Sequence, residues 1–389
     1  MKICVLKESL GIGGTERSAA NISKVLNKEN EVLLALYDGS NIKYSYGGEL
    51  VDFHLPPNAS FFGKVLNTFL RDIKLRKLIK QEHIDVLYTF TGICNRQTRY
   101  KYNTVKIISS RDFGGLRDLH PQYSAALKNS DAMIFNSEYS KQFYLSKYPK
   151  DTDKVFSLYN YINVEDINDQ AREPVDAEYI DFLSKHKHTV VSVGRFCKEK
   201  GFEYLIEAFD QSRKENPETG LVLVGDGDYK SKYIEMIERL KLEDHVYFTG
   251  FQTNPYKYMK KSSLFVLSSL SEGFPNVLAE AMSLGLPVIS TNCYSGPAEI
   301  LRNDCNYNTA SDAFEECDYG VLTPRFTDLD DQNAIFQLAK AINTLLNDEN
   351  KMAKYSAKAI ERAVCFSKEA TADKLNGILS ELMARRKNN

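Results

Sequence analysis

At 389 residues the chain is too long for one ordinary core, so two domains are expected. Apolar residues make up 43% and charged residues 26%, the balance of a soluble globular protein. A formal net charge of −2 gives the whole chain no nucleic-acid footprint. The charge is nevertheless uneven: residues 1–165 hold 23 Lys+Arg against 17 Asp+Glu, the remainder 27 against 35. A basic first half suits an anionic partner or surface on that side, and chance asymmetry accounts for it equally well. The seven cysteines (Cys4, Cys94, Cys197, Cys293, Cys305, Cys317, Cys365) are scattered and form no CxxC pair, so reduced thiols without a structural zinc are expected. Lys7 and Glu8 interrupt the opening MKICVLKESL too early for a signal peptide. No apolar run approaches the ~20 residues of a membrane span. The expected compartment is the cytoplasm, with attachment to the inner face of the cell membrane as the further option.

In chain order, Ile3–Leu6 is a short apolar strand, followed by Gly11–Gly14 and an amphipathic helix from about Thr15 to Leu26. Val32–Tyr37, Val86–Phe90, Val105–Ser109 and Ala132–Phe135 are further apolar runs. Continuous apolar strands separated by helical stretches predict a parallel sheet covered on both faces, an α/β doubly wound domain. Residues 163–187 are polar and predict an interdomain connection plus one helix. The alternation then restarts with strands at Val190–Val193, Leu221–Val224, Val246–Phe248, Leu264–Leu267 and Val288–Ser290. Helices are expected at Phe202–Glu215, Tyr229–Leu240, Asn276–Leu284, Asp331–Leu346, Lys351–Ala363 and Lys368–Arg386. The expected domains are 1–165 and 166–367, with 368–389 a closing helix that can pack back on the first domain. Two such domains facing across a cleft would place ligands beyond the carboxyl ends of the strands.

Four segments carry chemistry. Gly11-Ile12-Gly13-Gly14 follows the first strand and lets a ligand approach backbone before a helix N-terminus, although a plain tight turn reads as well. Ser192-Val193-Gly194-Arg195-Phe196, with Lys200 and Gly201 after it, closes the first strand of the second domain. Arg195 offers forked donors and Lys200 a compact charge, both suited to a diphosphate. Ser271-Glu272-Gly273-Phe274-Pro275-Asn276-Val277-Leu278-Ala279-Glu280 follows another strand, with Pro275 expected in the first helical turn. Eight helical residues rise ~12 Å, more than the roughly 5–10 Å between glycosidase carboxylates, which disfavours hydrolysis by this pair. Ser295-Gly296-Pro297-Ala298-Glu299-Ile300 turns into a further helix. The six histidines show no ligand spacing, so no metal site is expected.

Taken together, these segments resemble glycosyltransferase family 4, whose fold is GT-B: two Rossmann-like domains across a cleft. The likeness spans nearly the whole chain. It also includes Gly13-Gly14-Thr15-Glu16-Arg17, Leu223–Gly227 (LVGDG), Phe248–Phe251 (FTGF), Asn136-Ser137-Glu138 and Leu158-Tyr159-Asn160. Its most specific part is Glu272…Glu280, which looks like the family's Glu-x7-Glu signature. The resemblance implies that Arg195 and Lys200 bind the donor diphosphate, that Glu280 bonds the ribose hydroxyls, and that Glu272 contacts the donor sugar. Gly13 and Gly14 would approach the donor from the opposite domain. Gly194, Gly225, Phe251, Gly273, Phe274, Pro275, Asn276 and Val277 would complete the donor site. The resemblance further implies a UDP-sugar donor, retention of anomeric configuration, no cofactor and no obligatory metal. It puts the acceptor on the first domain; a glycan or lipid-linked acceptor is expected, and a soluble metabolite stays open.

One departure stands out. Many members carry a histidine after the strand matching Val105–Ser109, where this chain has Ser110-Arg111-Asp112-Phe113, like some polysaccharide-building relatives. Arg111 and Asp112 become the candidates for acceptor or donor contact, since His120 lies too far along. Two rival functions stay open: a nucleotide-sugar epimerase on the same architecture, and a non-catalytic sugar-nucleotide-binding subunit.

The segment Phe61–Lys80 is separate from these motifs. Phe62, Leu66, Phe69, Leu70 and Ile73 recur at helical spacing, while Lys64, Arg71, Lys74, Arg76, Lys77 and Lys80 face the single acid Asp72. Such a helix either docks on an anionic membrane surface or packs its apolar stripe onto the sheet with its lysines in water.

Overall fold

A computed structural model describes residues 1–58, 60–303, 311–327 and 331–387. Cys305 lies outside the described residues; the other six cysteines are free thiols. The chain forms two compact units, one of Met1–Tyr161 with Lys368–Asn389 and one of Ile162–Ser367.

The first unit is a parallel sheet of β1 (Lys2–Lys7), β2 (Glu31–Leu36), β3 (Glu49–Asp52), β4 (Val86–Phe90), β5 (Val105–Ser110), β6 (Ala132–Phe135) and β7 (Val155–Ser157). Their order is β3-β2-β1-β4-β5-β6-β7, with Ile3 flanked by Val32 and Val86. Alternation along a strand sends successive residues to opposite faces. Ile3 and Val5 pack on one side with Leu375, Ile378, Leu379 and Leu382 of the closing helix Lys368–Lys387. Cys4 and Leu6 pack on the other with Leu75 and Ile79 of helix Phe61–Gln81. Both faces are therefore dry, which is why these strands read as unbroken apolar runs.

The second unit repeats the plan with β8 (His188–Val193), β9 (Thr219–Val224), β10 (Val246–Gly250), β11 (Leu264–Leu267), β12 (Val288–Thr291), β13 (Glu315–Glu316) and β14 (Val321–Thr323). The order is β10-β9-β8-β11-β12-β14-β13, parallel except for the edge pair β13–β14. Residues 163–187 differ from expectation: they form two helices, Val164–Gln170 and Ala177–Ser184, both inside this unit. Asn163 and Asp176 cap their first turns, and neither helix is long enough to show a clear 3.6-residue pattern. Among the described residues no helix is long and apolar enough to cross a membrane.

One ion pair braces the first strand-to-helix turn. Lys7, the last residue of β1, is buried, and its ammonium donates to Glu16 Oε1 at 2.7 Å. Glu16 lies in the first turn of helix Gly14–Leu26. Burial pushes the Glu16 carboxyl up, but the Lys7 ammonium outweighs it and holds the group below its ordinary value of 4.5. A depressed carboxylate lends stability above its unfolded pKa and loses it as pH falls through the folded one. Glu16→Gln is therefore expected to cost ~2 kcal/mol at pH 7, by stranding a buried ammonium. That deficit should shrink as pH drops below about 4.5. A pH-independent gap between the two thermal unfolding curves would contradict this account.

Candidate active site

The strand order reverses between β8 and β11, because β8, β9 and β10 run one way from that point and β11 and β12 the other. Crevices at such switch points receive ligands at the carboxyl ends of the strands. The sequence motifs of the second unit occupy those ends. Gly194, Arg195 and Lys200 follow β8, Gly225 follows β9, Phe251 follows β10, Glu272 through Glu280 follow β11, and Ser295-Gly296 follow β12. Arg195 and Phe251 are exposed, Phe251 by 58%, while Glu280 is buried in helix Asn276–Ser283.

At the switch point, the Lys200 ammonium donates to Glu272 Oε1 at 2.6 Å. Burial works against the Lys200 charge, but the Glu272 carboxylate more than compensates, so the ammonium is held above its ordinary range. Glu272 also accepts from Ser269 Oγ at 2.7 Å, and Ser268 Oγ donates to the Lys200 carbonyl at 3.0 Å. The pair thus locks the turn after β8 to the loop after β11. The motifs mark Lys200 for a diphosphate and Glu272 for a sugar, but their spacing does not show that each is the other's partner. The serine pair Ser268-Ser269 was the available signal, since small hydroxyls before a charged loop commonly bond its backbone and side chains.

Glycine is required where the backbones close in. Gly201 sits at φ 60°, and a Cβ there would strike the Ser268 carbonyl. Gly225, at φ 151°, lies so near Gly194 that a Cβ would collide with the Gly194 carbonyl oxygen. Gly273 joins two further motifs: its carbonyl accepts from Gly296 N at 3.0 Å and Ser295 Oγ at 2.8 Å. Pro275 falls immediately before the helix rather than within its first turn, and packs close to Gly296. Phe274 is buried edge-to-face against Phe366, centroids 5.2 Å apart. Phe274 and Pro275 therefore shape the loop, leaving the half-buried Asn276 and Val277 at the helix start.

The remaining predicted residues belong to the first unit. Gly13 precedes helix Gly14–Leu26, and its amide donates to Tyr44 Oη at 3.2 Å; Gly14 is exposed. Arg111, read from the sequence as a ligand contact, is half-buried and bonded inside its own unit. It donates to Ser109 Oγ at 2.6 Å, Tyr88 Oη at 2.8 Å and Asn160 Oδ1 at 3.3 Å, and lies 5.1 Å from the Phe90 ring centre. Asp112 caps helix Phe113–Leu127, accepting from the Gly114 and Gly115 amides. Both residues have clear structural work, bracing strand ends and starting a helix.

Known proteins share this fold. Residues 12–166 match the profile of Glycosyltransferase Family 4, and residues 180–311 that of Glycosyl transferases group 1. An uncharacterized glycosyltransferase of Methanocaldococcus jannaschii is 33% identical over 256 residues, 64% of this chain and 63% of that relative. The N-acetylgalactosamine-N,N'-diacetylbacillosaminyl-diphospho-undecaprenol 4-alpha-N-acetylgalactosaminyltransferase of Campylobacter jejuni is 29% identical over 94% of this chain and 96% of its own. Among solved structures, Anabaena HepE in complex with UDP-glucose superposes with a TM-score of 0.72 at 20% identity, covering 98% of this chain and 100% of HepE. Sucrose-phosphate synthase of Thermosynechococcus elongatus gives 0.75 at 19% identity, with 99% of each chain covered. The two doubly wound units are the halves of a GT-B fold, and the chain belongs to glycosyltransferase family 4 and is a glycosyltransferase.

Proposed function

We propose that this enzyme moves a hexose or N-acetylhexosamine from a UDP-sugar to a hydroxyl of a glycan or lipid-linked acceptor, with retention, at a membrane surface during surface-polysaccharide or glycoconjugate synthesis. The observation that carries the reading is the Lys200–Glu272 pair at the switch point, with the exposed Arg195 on the same turn after β8. Two cations at strand ends suit a diphosphate. HepE was solved with UDP-glucose, and the C. jejuni relative is named for a diphospho-undecaprenol substrate; these support the donor and acceptor classes.

Cleaving the anomeric C–O bond leaves the bonding electron pair on the diphosphate oxygen and positive charge on the sugar ring. Arg195 and Lys200 would stabilise the departing diphosphate, taking up its charge in a partly desolvated site. Glu280 would hold the ribose hydroxyls. Glu272, already bonded to Lys200 and Ser269, is poorly disposed to act as a free nucleophile. Same-face attack fits better: the acceptor oxygen bonds to the anomeric carbon while its proton passes to the departing phosphate oxygen. An epimerase would return a free nucleotide sugar, so product analysis separates the two activities.

A UDP-sugar panel read by mass spectrometry identifies the donor. With that donor, Arg195→Ala and Lys200→Ala should each lower turnover at least about tenfold, as loss of a preorganised donor does. Lys200→Ala should also lower Tm more than Arg195→Ala, because it leaves Glu272 without its cation. Near-normal turnover in both variants would remove the diphosphate assignment. Glu280→Gln should weaken UDP binding by calorimetry, and unchanged affinity would count against the ribose role. The product should keep the donor's anomeric configuration by NMR and form in EDTA; an inverted linkage excludes the proposed mechanism.

A further inference from the structure

We infer that helix Phe61–Gln81 is a docking element whose first three turns bed into an anionic lipid surface. The inference deepens the membrane part of the proposed function, and lipid binding is measured without any transfer reaction, so either can fail alone.

The apolar stripe of this helix does not pack onto the sheet. Phe61, Phe62, Val65, Leu66, Phe69 and Ile73 are between 45% and 84% exposed. They recur every three or four residues and so share one stripe, and that stripe faces water rather than the sheet. The helix reaches the core through other residues: Leu70, Leu75, Leu78 and Ile79 pack in the cluster that holds Cys4, Leu6 and Leu87. A contiguous apolar surface of this kind, three of its six members phenylalanine, marks an interaction site. It is also pre-built. Ser60 Oγ accepts from Gly63 N at 3.0 Å, and Asn67 Nδ2 donates to the Pro56 carbonyl at 2.7 Å, so the projecting turns are held as helix.

Charge selects the occupant. The helix has one acid, Asp72, which is buried and bound by Arg99 at 2.9 Å and by Tyr100 Oη. Its outward surface therefore carries no negative charge. Of its six cations, three serve the protein. Arg71 donates to the Leu55 carbonyl and lies 4.4 Å over Tyr37, Lys74 donates to the Phe53 carbonyl, and Arg76 lies 3.9 Å over Tyr100. Lys64, Lys77 and Lys80 are exposed and make no ion pair among the described residues. An apolar stripe flanked by free lysines and no acid complements anionic headgroups over acyl chains. A second copy is a poor fit, because pairing this helix with itself would set lysine against lysine.

The test is co-sedimentation of the full chain with phosphatidylcholine vesicles, with and without phosphatidylglycerol. Binding should require phosphatidylglycerol and weaken with salt. The triple variant Phe62→Ser, Leu66→Ser, Phe69→Ser and the triple variant Lys64→Gln, Lys77→Gln, Lys80→Gln should each lose at least about tenfold in partitioning. Both change exposed side chains only, so Tm and UDP affinity should hold and report that the fold is intact. Transfer to a detergent-solubilised acceptor should persist in both. No sedimentation, equal sedimentation with neutral vesicles, or a dimer seen by light scattering that the serine variant abolishes would overturn the inference.

Discussion

The ion pair between Lys200 and Glu272 joins chain segments 72 residues apart, across the β8–β11 switch point of the second sheet. Much of the candidate site is built around it. The Leu270 amide reaches the Glu199 carbonyl, Ser268 reaches the Lys200 carbonyl, and Thr291 Oγ1 reaches the Ser269 carbonyl at 2.6 Å, so β8, β11 and β12 end in one bonded network. Desolvating an ammonium is costly unless a carboxylate accompanies it. Here the carboxylate keeps the lysine charged and in place. In the proposed reaction a diphosphate, with more negative charge than one carboxylate, would compete for that ammonium on arrival.

Much of this plan was legible in the chain itself. Strands such as Leu33–Ala35 or Val190–Val191 are buried on both sides, and burial on both sides leaves an unbroken apolar run that needs no context to read. The strands that escaped notice are short or half-wet. β3, ELVD, is an edge strand with intermediate burial; β7 and β14 have three residues each, and β13 two. Helix Phe113–Leu127 was hidden by its own composition: two glycines open it, Leu119 leaves helical geometry, and Pro121 follows inside it. Boundary readings within one or two residues, as at Asn276–Ser283, are as fine as helix ends permit.

Site residues were legible by type but not by partner. Motif spacing marks which side chains stand at strand ends; it cannot say that Arg111 turns back onto Tyr88 and Asn160, or that Lys7 and Glu16 find each other beneath the first glycine turn. The same limit applies to helix Phe61–Gln81. Its cations are indistinguishable in sequence, yet Arg71 and Lys74 are tied to the Leu55 and Phe53 carbonyls while Lys64 and Lys77 make no ion pair among the described residues. Long flexible stems let a lysine or arginine choose either course.

The closing helix has a consequence for how the protein comes into being. Leu375, Ile378, Leu379 and Leu382 form part of the core under β1, β4 and β5, although that sheet is complete by Ser157. The chain leaves this unit after Tyr161 and returns only at Lys368, with Ile162 bonded to Phe366 where the excursion starts and stops. At ordinary ribosomal speed the intervening stretch takes roughly ten to forty seconds to make. For that interval the earlier-made half waits with part of one sheet face unsealed, and when it ends the later-made half has its whole sequence to fold. The part of the enzyme born first is thus the last to be finished, and a nascent chain stalled near its end would present the ribosome's surroundings with an open hydrophobic layer for a chaperone to cover.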